Sequence, residues 1–130
     1  EVQLRKDFEP ALTELRKSRS QAIYTLETSV NFANRSMLIE LAARAKLPAI
    51  FPTTDYVRSG GLMTYSGVSG EALFKRAAYY VDKILKGAKP ADLPVEQSSI
   101  FALTINMNTA KSLGIKIAEP VLLRADRLIE

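Results

Sequence analysis

Apolar and polar positions change their spacing several times along this chain, and the changes predict alternating helices and strands. Helical spacing follows Asp7, which predicts a first helix with apolar positions Phe8, Ala11, Leu12 and Leu15. A short run rich in strand formers then covers residues 22–26. The next helical stripe ends before Pro48 and comprises Val30, Ala33, Met37, Leu41 and Ala45. Ahead of the first helix, Val2 and Leu4 resemble the tail of a strand.

The middle of the chain shows the same alternation in shorter units. Two short buried strands are predicted at residues 49–51 and 62–65, with a single helical turn at residues 55–58 between them. A long helix is then predicted from an N-cap at Ser69 to a C-terminal glycine at Gly87. Its predicted buried side consists of Leu73, Phe74, Ala77, Val81, Ile84 and Leu85.

The last third predicts one more strand and two helices. Residues 100–105 alternate cleanly, with Phe101, Leu103 and Ile105 on one face. A short helix over residues 109–113 precedes Gly114. Pro120 fits the first turn of a final helix that carries Leu122, Leu123 and Leu128.

Strands that alternate with helices indicate an α/β fold with a mostly parallel sheet flanked by helices. At 130 residues, without a repeat or a linker, residues 1–130 are predicted to form a single α/β domain. Such sheets place ligands outside the carboxyl ends of their strands. The loops at those ends are therefore where function is expected.

Three loops that follow predicted strands share hydroxyl-bearing and small residues, and each leads into a helical turn. Free backbone N–H groups at a helix start, joined by Ser or Thr hydroxyls, suit a carboxylate or phosphate. Simple helix capping accounts for the same residues equally well when each is taken alone. Tyr65 offers a ring that stacks on a planar ligand or a rim Tyr that packs on the core. The candidate ligand-binding residues are Glu27, Thr28, Ser29, Thr53, Thr54, Tyr65, Ser66 and Gly67.

Composition narrows the possible chemistry. The chain has no His, Cys or Trp, which removes imidazole and thiolate nucleophiles, their metal sites and disulfides. Catalysis through Lys, Tyr or paired carboxylates remains open, but no motif supports it, so we expect no metal, no cofactor and no enzymatic activity. The net charge of +4 comes from scattered residues at predicted helix ends, which does not indicate nucleic-acid binding. A receiver-like domain is the main structural rival, but only Glu27 and Asp55 lie near strand ends as its acidic site would require.

Four segments closely resemble the ABC-transporter substrate-binding proteins of the tryptophan/tyrosine-binding type. They are Leu47 to Ile50, Gly60 to Ser66, Tyr80 to Gly87 and Ala88 to Gln97. Further likeness appears at residues 101–114 and 122–130. In that family these segments form the second lobe and C-terminal region of a longer protein with a periplasmic-binding-protein-like (type I) fold.

The resemblance implies a solute-binding lobe of an ABC-type import system, periplasmic or otherwise extracytoplasmic. It implies a small-molecule ligand held in an interlobe cleft, with an aromatic amino acid as one candidate, and an ABC permease as partner. The missing N-terminal lobe or a second copy of the chain would supply the other wall. A ligand-sensing domain of the same fold on a signalling protein is the alternative. No secretory leader is visible, and the resemblance implies that residue 1 lies well inside the family's length.

The chain departs from the family pattern at three places. Arg19 to Ala22 replaces a Gly-Ala-Asp-Ala segment, Glu27 to Ser29 replaces a loop that often carries Asp-Pro, and Ser98 to Ile100 replaces Pro-Thr-Lys. The first two changes fall on or near a predicted ligand loop. Ligand identity therefore does not follow from the resemblance.

Overall fold

Five short strands form one sheet in the part of the chain that this computed structural model describes, residues 5–67, 70–96 and 101–130. In chain order, which is also their order across the sheet, they are β1 (Ile23–Tyr24), β2 (Ala49–Phe51), β3 (Met63–Ser66), β4 (Ala102–Asn106) and β5 (Arg127–Ile129). β1, β2 and β3 are parallel, β4 runs antiparallel to β3, and β5 is parallel to β4. The predicted α/β class with a mostly parallel sheet is confirmed.

Helices connect these strands. They are α1 (Phe8–Lys17), α2 (Ser29–Ala33), α3 (Arg35–Ala45), α4 (Thr54–Arg58), α5 (Gly70–Leu85), α6 (Met107–Leu113) and α7 (Glu119–Leu122). α3 and α4 cover the sheet face that carries Ala49 and Phe51, and α1 packs beside α3 through Phe8 and Leu12. None of the helices described is long and apolar enough to cross a membrane.

The predicted helix from Val30 to Ala45 is two helices. α2 ends at Ala33 and α3 begins at Arg35, because Asn34 leaves helical geometry at φ −109° and ψ 21°. The Asn34 side-chain amide donates to the Val30 carbonyl at 2.8 Å, and the same carbonyl also accepts the Asn34 backbone N–H at 3.1 Å. Competition of this kind between Asn side chains and the backbone explains the break.

The prediction of a buried side for the long helix is wrong. Leu73, Phe74, Ala77, Val81, Ile84 and Leu85 are all exposed, Phe74 by 79% and Leu85 by 81%. The helix itself forms with the expected amphipathic spacing and ends as predicted, with Gly87 at φ +98°. The stripe is therefore real, but no described residue of this chain buries it.

The predicted final helix is also wrong beyond Leu122. α7 covers only Glu119–Leu122, and Leu128 lies in β5 beside β4. Asp126 diverts the chain into the sheet: its backbone N–H donates to the Leu103 carbonyl at 2.9 Å, and its carboxylate accepts from the Leu103 N–H at 2.7 Å. These two bonds start a new strand where helical periodicity alone predicted a continuation.

The structure also tests the predicted bounds of β1 and β2 and the predicted burial of four residues. β2 has its predicted bounds, β1 is shorter than residues 22–26, and Phe8, Leu12, Leu41 and Ile105 are buried as expected. Val2, Leu4, Ser69 and Ile100 lie outside the described residues.

Position 61, just before β3, requires glycine because there is no space for a side chain. A Cβ at this position would stand 2.8 Å from the Phe51 ring and 2.9 Å from the Tyr56 carbonyl oxygen. The absence of a side chain lets the strand approach the Phe51–Tyr56 pair that supports the site described below.

We predict that Gly61→Ala lowers the free energy of unfolding by roughly 2 kcal/mol, because overpacking against backbone and a buried ring cannot relax cheaply. Gly114→Ala is the control: its Cβ would meet no atom within 4 Å, although its φ of +71° disfavours a side chain, at a cost of about 1 kcal/mol. Urea denaturation compares the two. A smaller loss for Gly61→Ala than for Gly114→Ala would contradict the packing explanation.

Candidate functional site

Three loops meet at one edge of the sheet. Because β1, β2 and β3 are parallel, their carboxyl ends lie side by side. Glu27, Thr28 and Ser29 follow β1, Thr53 and Thr54 follow β2, Ser66 ends β3 and Gly67 comes next. The structure thus brings seven of the eight predicted site residues to a common edge.

Tyr65 is the exception among the predicted residues. Along β3 it alternates with the buried Thr64, so its side chain stands on the opposite face of the sheet. Its ring is 61% exposed and stacks on Phe101 with a centroid separation of 5.5 Å. The structure does not bring Tyr65 together with the other candidates.

Thr28 and Thr53 occupy equivalent positions but behave differently. Both have extended backbone just before a helix, α2 and α4 respectively. The Thr28 hydroxyl accepts from the Asn31 N–H at 3.0 Å and caps α2. The Thr53 hydroxyl makes no capping bond, although it is buried. Capping therefore explains Thr28 and leaves the Thr53 hydroxyl without a structural role among the described residues.

Tyr56 is the centre of the edge. It lies on α4 and is fully buried, stacked on Phe51 at 5.3 Å between ring centroids and edge-on to Phe32 at 6.2 Å. Aromatic pairs at such distances contribute beyond the area they bury. These contacts fix the ring. The Glu27 carboxylate interacts electrostatically with the hydroxyl, but no described residue meets that hydroxyl in full hydrogen-bond geometry.

Charged groups of both signs surround the Tyr56 hydroxyl. Burial, and then the negative charge of Glu27, raise the pKa of Tyr56 to about 12, while Arg35 acts in the opposite direction. The hydroxyl is therefore protonated at neutral pH, and the Glu27 carboxylate is the acceptor that acts on it. Burial and the neighbouring Asp55 carboxylate also raise the pKa of Glu27 above its ordinary value. Two carboxylates, a phenol and a guanidinium thus act on one another across the loops.

Arg35 is only partly used by the protein. One terminal nitrogen, Nη1, donates to the Phe32 carbonyl at 3.3 Å, and the guanidinium carbon lies 5.0 Å from the Phe32 ring centroid. Its Nε is buried without a hydrogen-bond partner among the described residues. A guanidinium has five N–H donors, so Arg35 has donors to spare for a bound anion.

Five buried side-chain atoms in the described part of the chain have no hydrogen-bond partner, and all lie on α2, α3, α4, β3 or the loop before α4. They are Asn31 Oδ1, Arg35 Nε, Thr53 Oγ1, Tyr56 OH and Thr64 Oγ1. Buried polar groups in folded proteins are nearly always hydrogen-bonded, to protein, water or a ligand. Thr53 and Arg35 belong to the loops and helices that follow the parallel strands, which makes this edge a candidate surface for a polar ligand.

Sequence reasoning left several of these residues out of the site. One of them carries a signal in the sequence, since Thr64 places a hydroxyl inside a short apolar strand. Arg35 carries none, because the sequence predicts one continuous helix there and the helix start at Arg35 is seen only in the structure. Tyr56 and Asn31 have no comparable signal, because their positions depend on how α2 and α4 pack.

A mostly apolar concavity adjoins this edge at the carboxyl end of β1, where Tyr24, Thr25 and Leu26 contribute to its wall. It has a volume of about 340 Å³ and runs between α1, α3 and β1, with Phe8, Leu12, Leu41 and Phe51 in its wall. Thr28 and Asn31 belong both to this wall and to the polar edge. The rest of the wall is mostly aliphatic and resembles core packing, so the polar edge is the better candidate for fixing a polar ligand.

Known structures share this fold. A conserved domain protein from Vibrio cholerae O1 biovar El Tor superposes with a TM-score of 0.87 at 29% identity, over 98% of this chain and 42% of its own. An ABC domain in complex with L-Trp from Streptococcus pneumoniae gives 0.86 at 28% identity, over 98% of this chain and 44% of its own. A ligand-free, open substrate binding protein with adhesive properties from Clostridium difficile shares the fold at 0.63 and 17% identity, over 98% of this chain and 42% of its own.

Sequence comparison decides the family. The profile of the ABC transporter substrate binding protein family matches residues 1–129. The chain belongs to this family. Among curated proteins none matches it.

The ABC transporter substrate binding protein family has a periplasmic-binding-protein-like fold, and the predicted fold and family are both confirmed. The chain spans less than half the length of the two more similar structures. Its polar edge is therefore a candidate ligand surface of a substrate-binding protein.

The contrast between Thr28 and Thr53 predicts different responses to the same substitution. Thr28→Ala should lower the free energy of unfolding by about 1 kcal/mol, the usual effect of losing a helix N-cap. Thr53→Ala should leave stability unchanged, since it removes a hydroxyl that bonds to no described residue. Thermal and urea denaturation measure both. Equal losses in the two variants would show that Thr53 has a structural role after all.

Proposed function

We propose that this chain is a ligand-binding lobe of the solute-binding component of an ABC-type import system, and that its solute is an amino acid or a similar small carboxylate. The observation that carries the proposal is the set of buried, unpartnered polar atoms at the carboxyl edge of the parallel strands. Family membership supports transport rather than catalysis or signalling.

The charges at the edge suit a zwitterionic ligand. Glu27 and Asp55 place two carboxylates close enough to perturb each other, which an ammonium group would stabilise. Arg35 supplies spare donors for a carboxylate, and an arginine fork matches carboxylate geometry. The two charged ends of an amino acid thus have complementary partners on one surface. The Thr53 hydroxyl completes the polar contacts.

An apolar or aromatic side chain on the ligand is supported by the rings beside these charges. Phe32 is partly exposed and forms the rim above Tyr56. A structural neighbour is described in complex with L-Trp. L-Trp is therefore the first ligand to test, and other aromatic amino acids come next.

The complete transport protein requires more than this chain. Because the chain covers only 42% and 44% of its two more similar neighbours, a second lobe that closes over the polar edge is part of the proposal. The remaining partner is an ABC permease, and the place of action is outside the cytoplasmic membrane. In such proteins two lobes close around the ligand about a hinge.

Calorimetric titration of the full-length protein tests the ligand class. L-Trp should bind, whereas indole-3-propionate, which lacks the ammonium, and tryptamine, which lacks the carboxylate, should each bind at least about tenfold more weakly, equivalent to about 1.4 kcal/mol. Equal binding of all three would contradict recognition of both charged ends. Binding of none of them would contradict an indole-bearing ligand, and failure of the other aromatic amino acids as well would contradict an aromatic amino acid as the solute.

The same titration with Glu27→Gln assigns the ammonium contact. The raised pKa of Glu27 means that its charge is lost earlier than that of an ordinary Glu as the pH falls. The affinity of the unmodified protein for L-Trp should therefore fall as the pH is lowered from neutrality towards the ordinary pKa of a Glu side chain, about 4.3. Glu27→Gln should bind more weakly at neutral pH and lose most of this pH dependence. An unchanged pH profile in Glu27→Gln would move the ammonium contact to another residue.

A further inference from the structure

The C-terminal end of α4 is attached to the corner where β4 ends and α6 begins. The side-chain amide of the buried Asn106 donates to the Val57 carbonyl at 3.3 Å. The Thr109 hydroxyl donates to the Gly60 carbonyl at 2.9 Å. The Asn106 side-chain oxygen also accepts from the Thr109 N–H at 3.0 Å, so the same side chain caps α6. We call Asn106 and Thr109 the α6 anchor.

The two ends of α4 are held differently. The helix contains only five residues, and at its start the Thr53 side chain makes no capping bond. Past its end, the Gly61 N–H donates to the Tyr56 carbonyl at 2.8 Å. The Gly60 N–H donates to the Val57 carbonyl at 3.1 Å, which completes a Schellman turn. Hydrogen bonds therefore hold the C-terminal end of α4 more firmly than its start.

The α6 anchor lies at the opposite end of the sheet from the three loops of the polar edge. β4 runs antiparallel to β3, with Ile105 opposite Met63, so the carboxyl end of β4 lies beside the start of β3. There the Asn106 backbone N–H donates to the Leu62 carbonyl at 2.8 Å. α4 follows β2 at the polar edge and leads to the start of β3, so it crosses from one end of the sheet to the other. The anchor thus holds α4 from the end that is remote from the ligand loops.

The sheet beneath α4 offers less apolar packing than the core around Phe51. Thr64 on β3 is the partner of Phe51 on one side and of Thr104 on the other, and both threonines are buried. Their short hydroxyl side chains bury less apolar area than Val, Leu or Ile side chains would, so apolar contact stabilises the position of α4 less. The hydrogen bonds of the α6 anchor therefore carry more of the task of orienting this helix.

We infer that Asn106 and Thr109 are positioning residues of the polar edge, because they fix the orientation of α4 and with it the ring of Tyr56. Tyr56 directly precedes Val57, the residue whose carbonyl Asn106 holds. Its hydroxyl interacts with Glu27 on the first ligand loop, so a shift of the ring changes the surface that the loops present. Neither anchor residue lies in the loops after β1, β2 or β3. The role in ligand binding rests on the proposed function, whereas the attachment of α4 does not.

Substitutions in the full-length protein test the anchor. Thr109→Val removes the hydroxyl with little change in shape and keeps the N–H that caps α6, whereas Thr109→Ser keeps the hydroxyl and is the rescue variant. Asn106→Ser keeps a capping oxygen, but its side chain is too short to reach the Val57 carbonyl. Ser112→Ala is the matched control, because it removes a hydroxyl bond made within α6, to the Thr109 carbonyl at 2.9 Å.

Two measurements are made on each variant. NMR of the protein with ring-labelled Tyr follows Tyr56, whose signal is assigned by its loss in Tyr56→Phe. Calorimetric titration with L-Trp follows binding. Thr109→Val and Asn106→Ser should shift the Tyr56 signal and weaken L-Trp binding by about fivefold, the usual scale for one lost hydrogen bond. Thr109→Ser and Ser112→Ala should leave both the signal and the affinity unchanged.

An unshifted Tyr56 signal in Thr109→Val and Asn106→Ser would overturn the inference. A shifted signal with unchanged affinity would overturn it as well, because the anchor would then serve stability alone. Equal effects of Thr109→Ser and Thr109→Val would show that the hydroxyl bond is not responsible. The NMR measurement needs no ligand, so a protein that bound no amino acid would contradict the proposed function, while the Tyr56 signal would still decide whether the anchor positions the ring.

Discussion

Parallel pairing of three short strands is the constraint on which the rest of this structure depends. β1, β2 and β3 contain only two, three and four residues, so their own hydrogen bonds are few. The register is held by what packs on them, above all Phe51 of β2 against Tyr56 of α4. Once that pairing is fixed, the three loops have to begin at one edge. The polar surface is thus a consequence of topology before it is a consequence of any single side chain.

The surface has an energetic cost for the folded protein. A buried polar atom without a partner costs about 1–3 kcal/mol, and Thr53 Oγ1 and Arg35 Nε are buried near this edge with no partner among the described residues. The apolar clusters formed by α1, α3, α4 and β2 offset that cost. Retaining unpartnered groups makes physical sense when something outside the chain completes their hydrogen bonds. Family membership in the ABC transporter substrate binding proteins supplies the reason for such a surface.

Local patterns predicted the fold well where short-range chemistry decides it. Pro48 and Gly87 marked helix ends, and the apolar run at residues 49–51 marked a strand with its observed bounds. Local patterns failed where a contact with a residue far along the chain determines the secondary structure. Asp126 redirects its segment by bonding to Leu103, twenty-three residues away, and helical spacing around Leu128 cannot reveal such a bond. The loops of the site could be predicted from strand order, whereas Tyr56 and Arg35 required the packing of α2, α3 and α4.

The exposed apolar side of α5 shows a different limit of sequence reasoning. Amphipathic spacing identifies an apolar side but not what covers it, and here the covering surface is not among the described residues. The helix is nevertheless held on both flanks, by residues 90–96 and by its own ion pairs.

Hydrogen–deuterium exchange of the full-length protein with and without L-Trp tests the central claim most directly. The account predicts slower exchange on ligand addition at residues 27–35 and 53–56, with no change at residues 8–15 beside the apolar concavity. Protection at residues 8–15 without protection at the sheet edge would contradict it.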